Sequence, residues 1–174
     1  QAASGTYQFN NTNNRTVKIH LNHVVDYSTQ KTNRTITYTV DDSNYTGQVP
    51  ETQTQTITWK ITTDEATGTS FATPTGIYSE QTVPAIDGYT PNQDKVEQVT
   101  YNGMDASGIP GDDTVKIIYH ANAQKVIVEY VDDSNNGVVV GTPETVSGQT
   151  SGTVDWNTDS LPTGYKLAKG QAAS

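Results

Sequence analysis

The sequence predicts a predominantly β protein built from two thin, one-sided sheet modules in tandem. Three observations carry this expectation. First, two strand-like runs, Arg34-Thr35-Ile36-Thr37-Tyr38-Thr39-Val40 and Gln124-Lys125-Val126-Ile127-Val128-Glu129-Tyr130-Val131, are rich in β-branched and aromatic residues and end in one pentapeptide, Val-Asp-Asp-Ser-Asn, at 40–44 and 131–135. Second, three more landmarks follow each copy in the same order: Pro50-Glu51-Thr52 and Pro143-Glu144-Thr145, then Trp59 and Trp156, then Gly88-Tyr89 after Pro84 and Gly164-Tyr165 after Pro162. Third, the apolar share is only 32%, and threonine alternates with apolar residues over 35–40, so it occupies the wet face of a half-buried sheet.

Duplication of this kind makes two units of about 90 residues the natural division. The spacings between landmarks differ by several residues, which places insertions in loops. Gln1-Ala2-Ala3-Ser4 and Gln171-Ala172-Ala173-Ser174 are identical, as expected of one unit of a tandem array with a period of 170 residues; a sequence left by cloning would leave the same trace.

In chain order, residues 5–9, an Asn-rich turn and 15–21 read as a hairpin. Its second strand has a relative: Thr16-Val17-Lys18-Ile19 recurs as Thr114-Val115-Lys116-Ile117, ending near His20 and His120 respectively. The first module therefore opens at 34–40 and closes at 114–120, whereas the second opens at 124–131 and has no closing strand of its own. The expected division is a closing hairpin over 1–31, a first module over 32–122 and a second, incomplete at its C-terminus, over 123–174, with 15–21 of a neighbour in head-to-tail contact supplying the missing strand. Between these, 53–61 alternates cleanly and reads as a strand that 64–68 breaks. Residues 71–83, with Pro74, Gly76 and nearby Pro84, read as loop or edge structure; 96–101 reads as a strand and 103–113 as a loop. Asn157 or Thr158 would cap a short helical turn before Pro162, and no other helix is signalled.

Composition excludes several functions. With no cysteine there is no disulfide, thiolate metal site or cysteine nucleophile. The net charge of −9, with scattered bases, excludes nucleic acid as a partner. No run reaches the roughly 20 apolar residues of a membrane-spanning helix, and no leader opens the chain, so the expectation is a soluble stretch from inside a longer protein without membrane insertion.

The paired acids Asp41/Asp42, Asp112/Asp113 and Asp132/Asp133 are the nearest approach to a catalytic or metal constellation. Neighbours in an extended chain face opposite ways, so the pairs read as solvated turn formers, with a structural calcium ion as the alternative. His20 and His23 lack the company that zinc requires. Lys18 and Lys116 read as edge lysines, or as halves of a lysine–asparagine crosslink. Neither a nucleophile elbow nor a phosphate-binding loop is present, so no catalytic residue is assigned. Tyrosine is the abundant aromatic, ten residues against two Phe and two Trp; its flat face and hydroxyl suit sugar recognition, and Tyr45 and Tyr78, in predicted loops, are the candidate ligand contacts.

The ordered set of a Val-x-Tyr-Val-Asp-Asp strand end, a Pro-Glu-Thr segment and a late Gly-Tyr resembles the mucus-binding (MucBP, Mub repeat) domains of lactobacillus surface adhesins. The match is strongest over 124–170, is continued by 5–23, and is more divergent over 33–120. The resemblance implies an α+β, predominantly β fold of two β-grasp (ubiquitin-like) modules in an elongated, cell-wall-anchored extracellular adhesin. It also implies mucin glycoproteins as partners, immunoglobulins as further ones, no cofactor and no enzyme activity. A stalk repeat with no ligand of its own is the alternative.

Overall fold

The computed structural model describes residues 5–6, 8–9, 16–154 and 161–170. Among them are ten strands and two single 3-10 turns, Ala106–Gly108 and Asp133–Asn135. The strands are β1 (Val25–Val40), β2 (Gln53–Asp64), β3 (Thr69–Thr75), β4 (Gln81–Thr82), β5 (Tyr89–Pro91), β6 (Lys95–Val96), β7 (Met104–Asp105), β8 (Asp113–Ala121), β9 (Ala123–Asp132) and β10 (Val138–Gln149). The predominantly β expectation holds. No α-helix occurs among the described residues, so the α part of the expected α+β class has no counterpart there, and the turn expected to be capped by Asn157 or Thr158 lies outside them.

One sheet of six strands, in the order β5-β8-β1-β2-β3-β7, organises the first half. Its one parallel pair is β1·β8, with Ile36 beside Val115, Tyr38 beside Ile117 and Val40 beside Tyr119. The other neighbours are antiparallel. Alternation along β1 turns Thr32, Arg34, Ile36 and Tyr38 inward and leaves Thr35, Thr37 and Thr39 on the outer face, as the threonine pattern predicts.

Two adjoining apolar clusters lie beneath the sheet. Ile36, Tyr38, Val83, Tyr89, Val96, Ile117 and Tyr119 form one, and Ile57, Trp59, Ala72 and Tyr78 the other. Polar side chains sit between them: Thr32 Oγ1 accepts from Trp59 Nε1 and from the Tyr78 hydroxyl, both at 3.0 Å. Arg34, 2% exposed, lies over the Tyr78 ring and donates to the Glu97 and Ser79 carbonyls and to Gln55 Oε1. Neutral acceptors alone hold this buried guanidinium, so its partners depend on it as much as it does on them.

Three strands differ from expectation. β1 begins at Val25, so residues 25–31, expected within a closing hairpin, are its first half, paired with 58–64 of β2. Both faces of this extension are exposed, so no apolar alternation marks it in the sequence. Residues 69–75 form β3 despite Pro74, which pairs with Trp59 of β2 but lies beyond the part of β3 that β7 covers, where a missing N–H costs no sheet bond. The strand expected over 96–101 shrinks to Lys95–Val96 and one bridge at Val99. Residues 16–24 carry no regular structure, and Val17, Ile19 and Leu21 are exposed, so within the single chain the described part of the expected strand, 16–21, is not a strand.

The second half is a two-stranded ribbon, β10-β9, with residues 161–168 beside it. Only Asn122 separates β8 from β9. It donates its N–H to the Gly88 carbonyl at 2.8 Å, and its own carbonyl accepts from Thr150 at 2.9 Å. Its side-chain oxygen accepts from Thr90 Oγ1 at 2.6 Å. The joint between the halves is therefore a hydrogen-bonded corner, not a linker.

Candidate functional site

The repeated pentapeptide builds a turn in both halves, yet not residue for residue. In the first, Asp42 Oδ1 accepts from the Asn44 N–H at 2.9 Å and Oδ2 from the Tyr89 hydroxyl at 2.6 Å. In the second, Asp132 accepts from the Ser134 N–H at 2.8 Å and from the Tyr165 hydroxyl at 3.4 Å. Each tyrosine stands in a tight turn, donating its N–H to Ile86 or to Pro162, with Gly88 or Gly164 at positive φ before it. The structural counterpart of Asp132 is thus Asp42, the second acid of its pair, and not Asp41, which the letters align with it. Strand register agrees. Ile36 faces Gln53, and their counterparts, Val126 by the aspartate match and Val146 by the Pro-Glu-Thr match, face each other. A one-residue slip would have turned the apolar set of β9 to the wrong face; the structural match keeps Val126, Val128 and Tyr130 equivalent to Ile36, Tyr38 and Val40.

These contacts explain the electrostatics of the acid pairs. The Tyr89 hydroxyl and then the Asn44 N–H hold the Asp42 carboxyl below its ordinary value of 3.8. Burial first, and then the Asp42 carboxylate, push the Tyr89 phenol up. Among the described residues no three His, Asp or Glu side chains group as metal ligands would. His20 and His23 lie in the segment before β1, where His23 Nδ1 meets Asp64 Oδ2 at 2.7 Å and lowers that carboxyl.

The two candidate contact tyrosines fare differently. Tyr78, 2% exposed, lies in the core against Trp59's neighbour Tyr101 and under Arg34, so its ring offers nothing to a ligand. The Pro and Gly around it signal a loop correctly, but this loop folds over the sheet and buries its aromatic. Tyr45 is half-buried, edge-on to Tyr89 at 5.1 Å, with its hydroxyl donating to the Gln48 carbonyl.

The apolar concave feature of the second half is one that neither tyrosine marks. A groove of about 420 Å³ runs along β9, lined by Val126, Val128 and Tyr130 on one side and by Leu161, Tyr165 and Leu167 on the other. In the first half the corresponding elements, β1 and β5, flank β8. In the second half no described strand lies between them. The sequence signal for this groove is the missing closing strand, not an aromatic in a loop.

Fold and site together set a closed six-stranded unit before an open two-stranded ribbon that repeats its aspartate turn and strand register. The chain belongs to the Muc B2-like domain family, whose model matches residues 23–123. That span encloses β1 to β8 and falls on the half whose letters look the more divergent. Among solved structures, the chain is similar to the mucin-binding domain of Spr1345 from Streptococcus pneumoniae, at 21% identity over 56% of this chain and 95% of that one, with a TM-score of 0.36. It is similar to the MucBP domain of an adhesion protein from Pediococcus pentosaceus, at 25% identity over 53% and 99%, with a TM-score of 0.37. Similarity to Mub-RV is 23% over 56% and 60%, again with a TM-score of 0.37. A search of curated proteins finds no match.

Proposed function

We propose that the chain is a non-catalytic repeat of a bacterial cell-surface adhesin that binds mucin glycoproteins. Membership of the Muc B2-like domain family over 23–123 is the observation that carries this. Outward rows of threonine hydroxyls on β1 and the 80% exposed ring of Tyr27 support it, since such groups suit the hydroxyls and ring faces of glycans. Individual contacts of this kind are weak, and repetition along a surface protein supplies the avidity. We read each half as a derivative of the β-grasp fold, supported by the parallel pairing of the opening and closing strands β1 and β8. Extracellular, wall-anchored display and immunoglobulins as a second class of partner belong to the same proposal.

The net charge of −9 opposes sialylated or sulfated mucin at neutral pH. Protonating carboxylates removes that repulsion, so adhesion tightens in mild acid. Purified mucin, before and after glycan removal and across about pH 4 to 7, is the test. Loss of binding with the glycans supports the proposal, and binding indifferent to pH removes its electrostatic part. The hydrogen-bonded corner at Asn122 favours a second reading, a stiff spacer that projects another domain; it prevails if several joined repeats fail to bind mucin at all.

A further inference from the structure

The groove along β9 lies where a strand belongs, and the chain contains a segment that matches that strand. In the first half β8 inserts between β1 and β5, parallel to one and antiparallel to the other. Residues 16–19, Thr-Val-Lys-Ile, repeat residues 114–117 of β8 letter for letter. Transferring the β1·β8 register through the Asp42–Asp132 match sets Val17 opposite Val126, Ile19 opposite Val128 and Leu21 opposite Tyr130. Every inward position of the incoming segment is then apolar and meets an apolar one. Of the outward positions, His20 falls beside Glu129, a charge-compatible pair. On the far side, the β5·β8 register sets Leu21 opposite Leu167 and His23 opposite Tyr165.

Among the described residues the donor segment pairs with no strand. Val17, Ile19 and Leu21 are 59%, 81% and 86% exposed, an apolar row at strand spacing with no sheet to face. It cannot reach the groove of its own chain. β1 carries 16 residues from the end where Val24 and His23 meet Glu65 and Asp64 to the end where Val40 meets Tyr119. That is about 50 Å of strand. β9 starts at the far end, beyond Ala121, and residues 22–24 span only about 10 Å.

We infer that residues 16–21 of a second copy of this chain complete the second half by strand insertion, running parallel to β9 and antiparallel to 165–167. The second copy is either a separate molecule or the next unit of an array, and the chemistry of the joint is the same.

The chain extended beyond Ser174 by a second copy of residues 5–24, which keeps the period of 170 because 171–174 already repeats 1–4, tests this, read by amide exchange over 124–130 and 165–167. Exchange at both segments is expected to slow by about tenfold or more, and Ile19→Asp in the appended copy is expected to abolish the effect. Ile19→Asp in the chain's own segment should leave it unchanged. Unchanged exchange in the extended chain, or protection that survives Ile19→Asp in the appended copy, would leave the groove to another occupant and overturn the assignment.

Discussion

The two halves share a turn, a tyrosine–aspartate contact and a strand register, and where β8 fills the first, the second has no described strand. With β8 in place, Ile36, Tyr38 and Ile117 of the first half are sealed from solvent; without a counterpart, Val126 of the second stays 43% exposed. A β unit of this size therefore depends on its central strand for its core more than on its hairpin. The hairpin alone, β9·β10, is formed and leaves its apolar residues wet.

That contrast can be broken most directly at the equivalent pair Ile36 and Val126. Ile36→Ala should cost about 2–5 kcal/mol in urea unfolding, and Val126→Ala well under about 1 kcal/mol. Equal losses would mean that the second half is as closed as the first. Arg34 belongs to the closed half only. Removing it as Arg34→Ala takes the guanidinium from the Glu97 carbonyl and from Gln55 Oε1, while the Ser79 carbonyl keeps Gln55 Nε2 as a donor, at a cost of about 2–3 kcal/mol by the same measurement; a change below about 1 kcal/mol would show that water replaces it.

The glycines before the two tyrosines sharpen the comparison further. Gly88 and Gly164 both have positive φ, so alanine strains either by about 1 kcal/mol. At Gly88 a Cβ would also come within 2.5 Å of Thr150 Cγ2, whereas at Gly164 it meets no atom of the described residues within 4 Å. Gly88→Ala should therefore lower the thermal midpoint more than Gly164→Ala, and should loosen the Asn122 corner that Thr150 helps to form.

The smallest effect concerns Asp42. Its carboxyl is held low in the folded chain, so its contribution to stability is complete above the ordinary value of 3.8 and is lost as pH falls through the lower folded value. Tyr89→Phe should move the Asp42 titration upward in an NMR measurement, and an unmoved titration would show that the 2.6 Å contact does not hold the carboxyl low.

Where one face of a strand is buried, its alternation is written in the letters: 34–40, 53–61 and 114–120 read as strands, and strands they are, as is 124–131, whose β-branched run marks it although its apolar residues stay wet. The N-terminal half of β1 is invisible because Asp26-Tyr27-Ser28-Thr29-Gln30-Lys31 buries nothing and is held by backbone pairing with β2. Burial of Tyr78 is invisible for the opposite reason: Pro and Gly describe the local chain, and only the sheet that the loop returns to decides what its side chains touch. Duplication is plain in the letters, while the slip from Asp41 to Asp42 is not, since a hydroxyl some 47 residues away selects which acid closes the turn.

Asn122 has a further consequence. Because β1 and β8 are parallel neighbours, the point where the chain enters the first half, at Val25, and the point where it leaves, at Ala121, lie at opposite ends of one strand pair. Tension along a chain of such units would pull the two strands past each other in shear and load their hydrogen bonds together, instead of unzipping them one by one. The one-residue corner has no slack to absorb that tension. A surface protein assembled this way should yield to flow in abrupt steps, which stretching the chain from its two ends in a single-molecule force measurement would record as discrete ruptures.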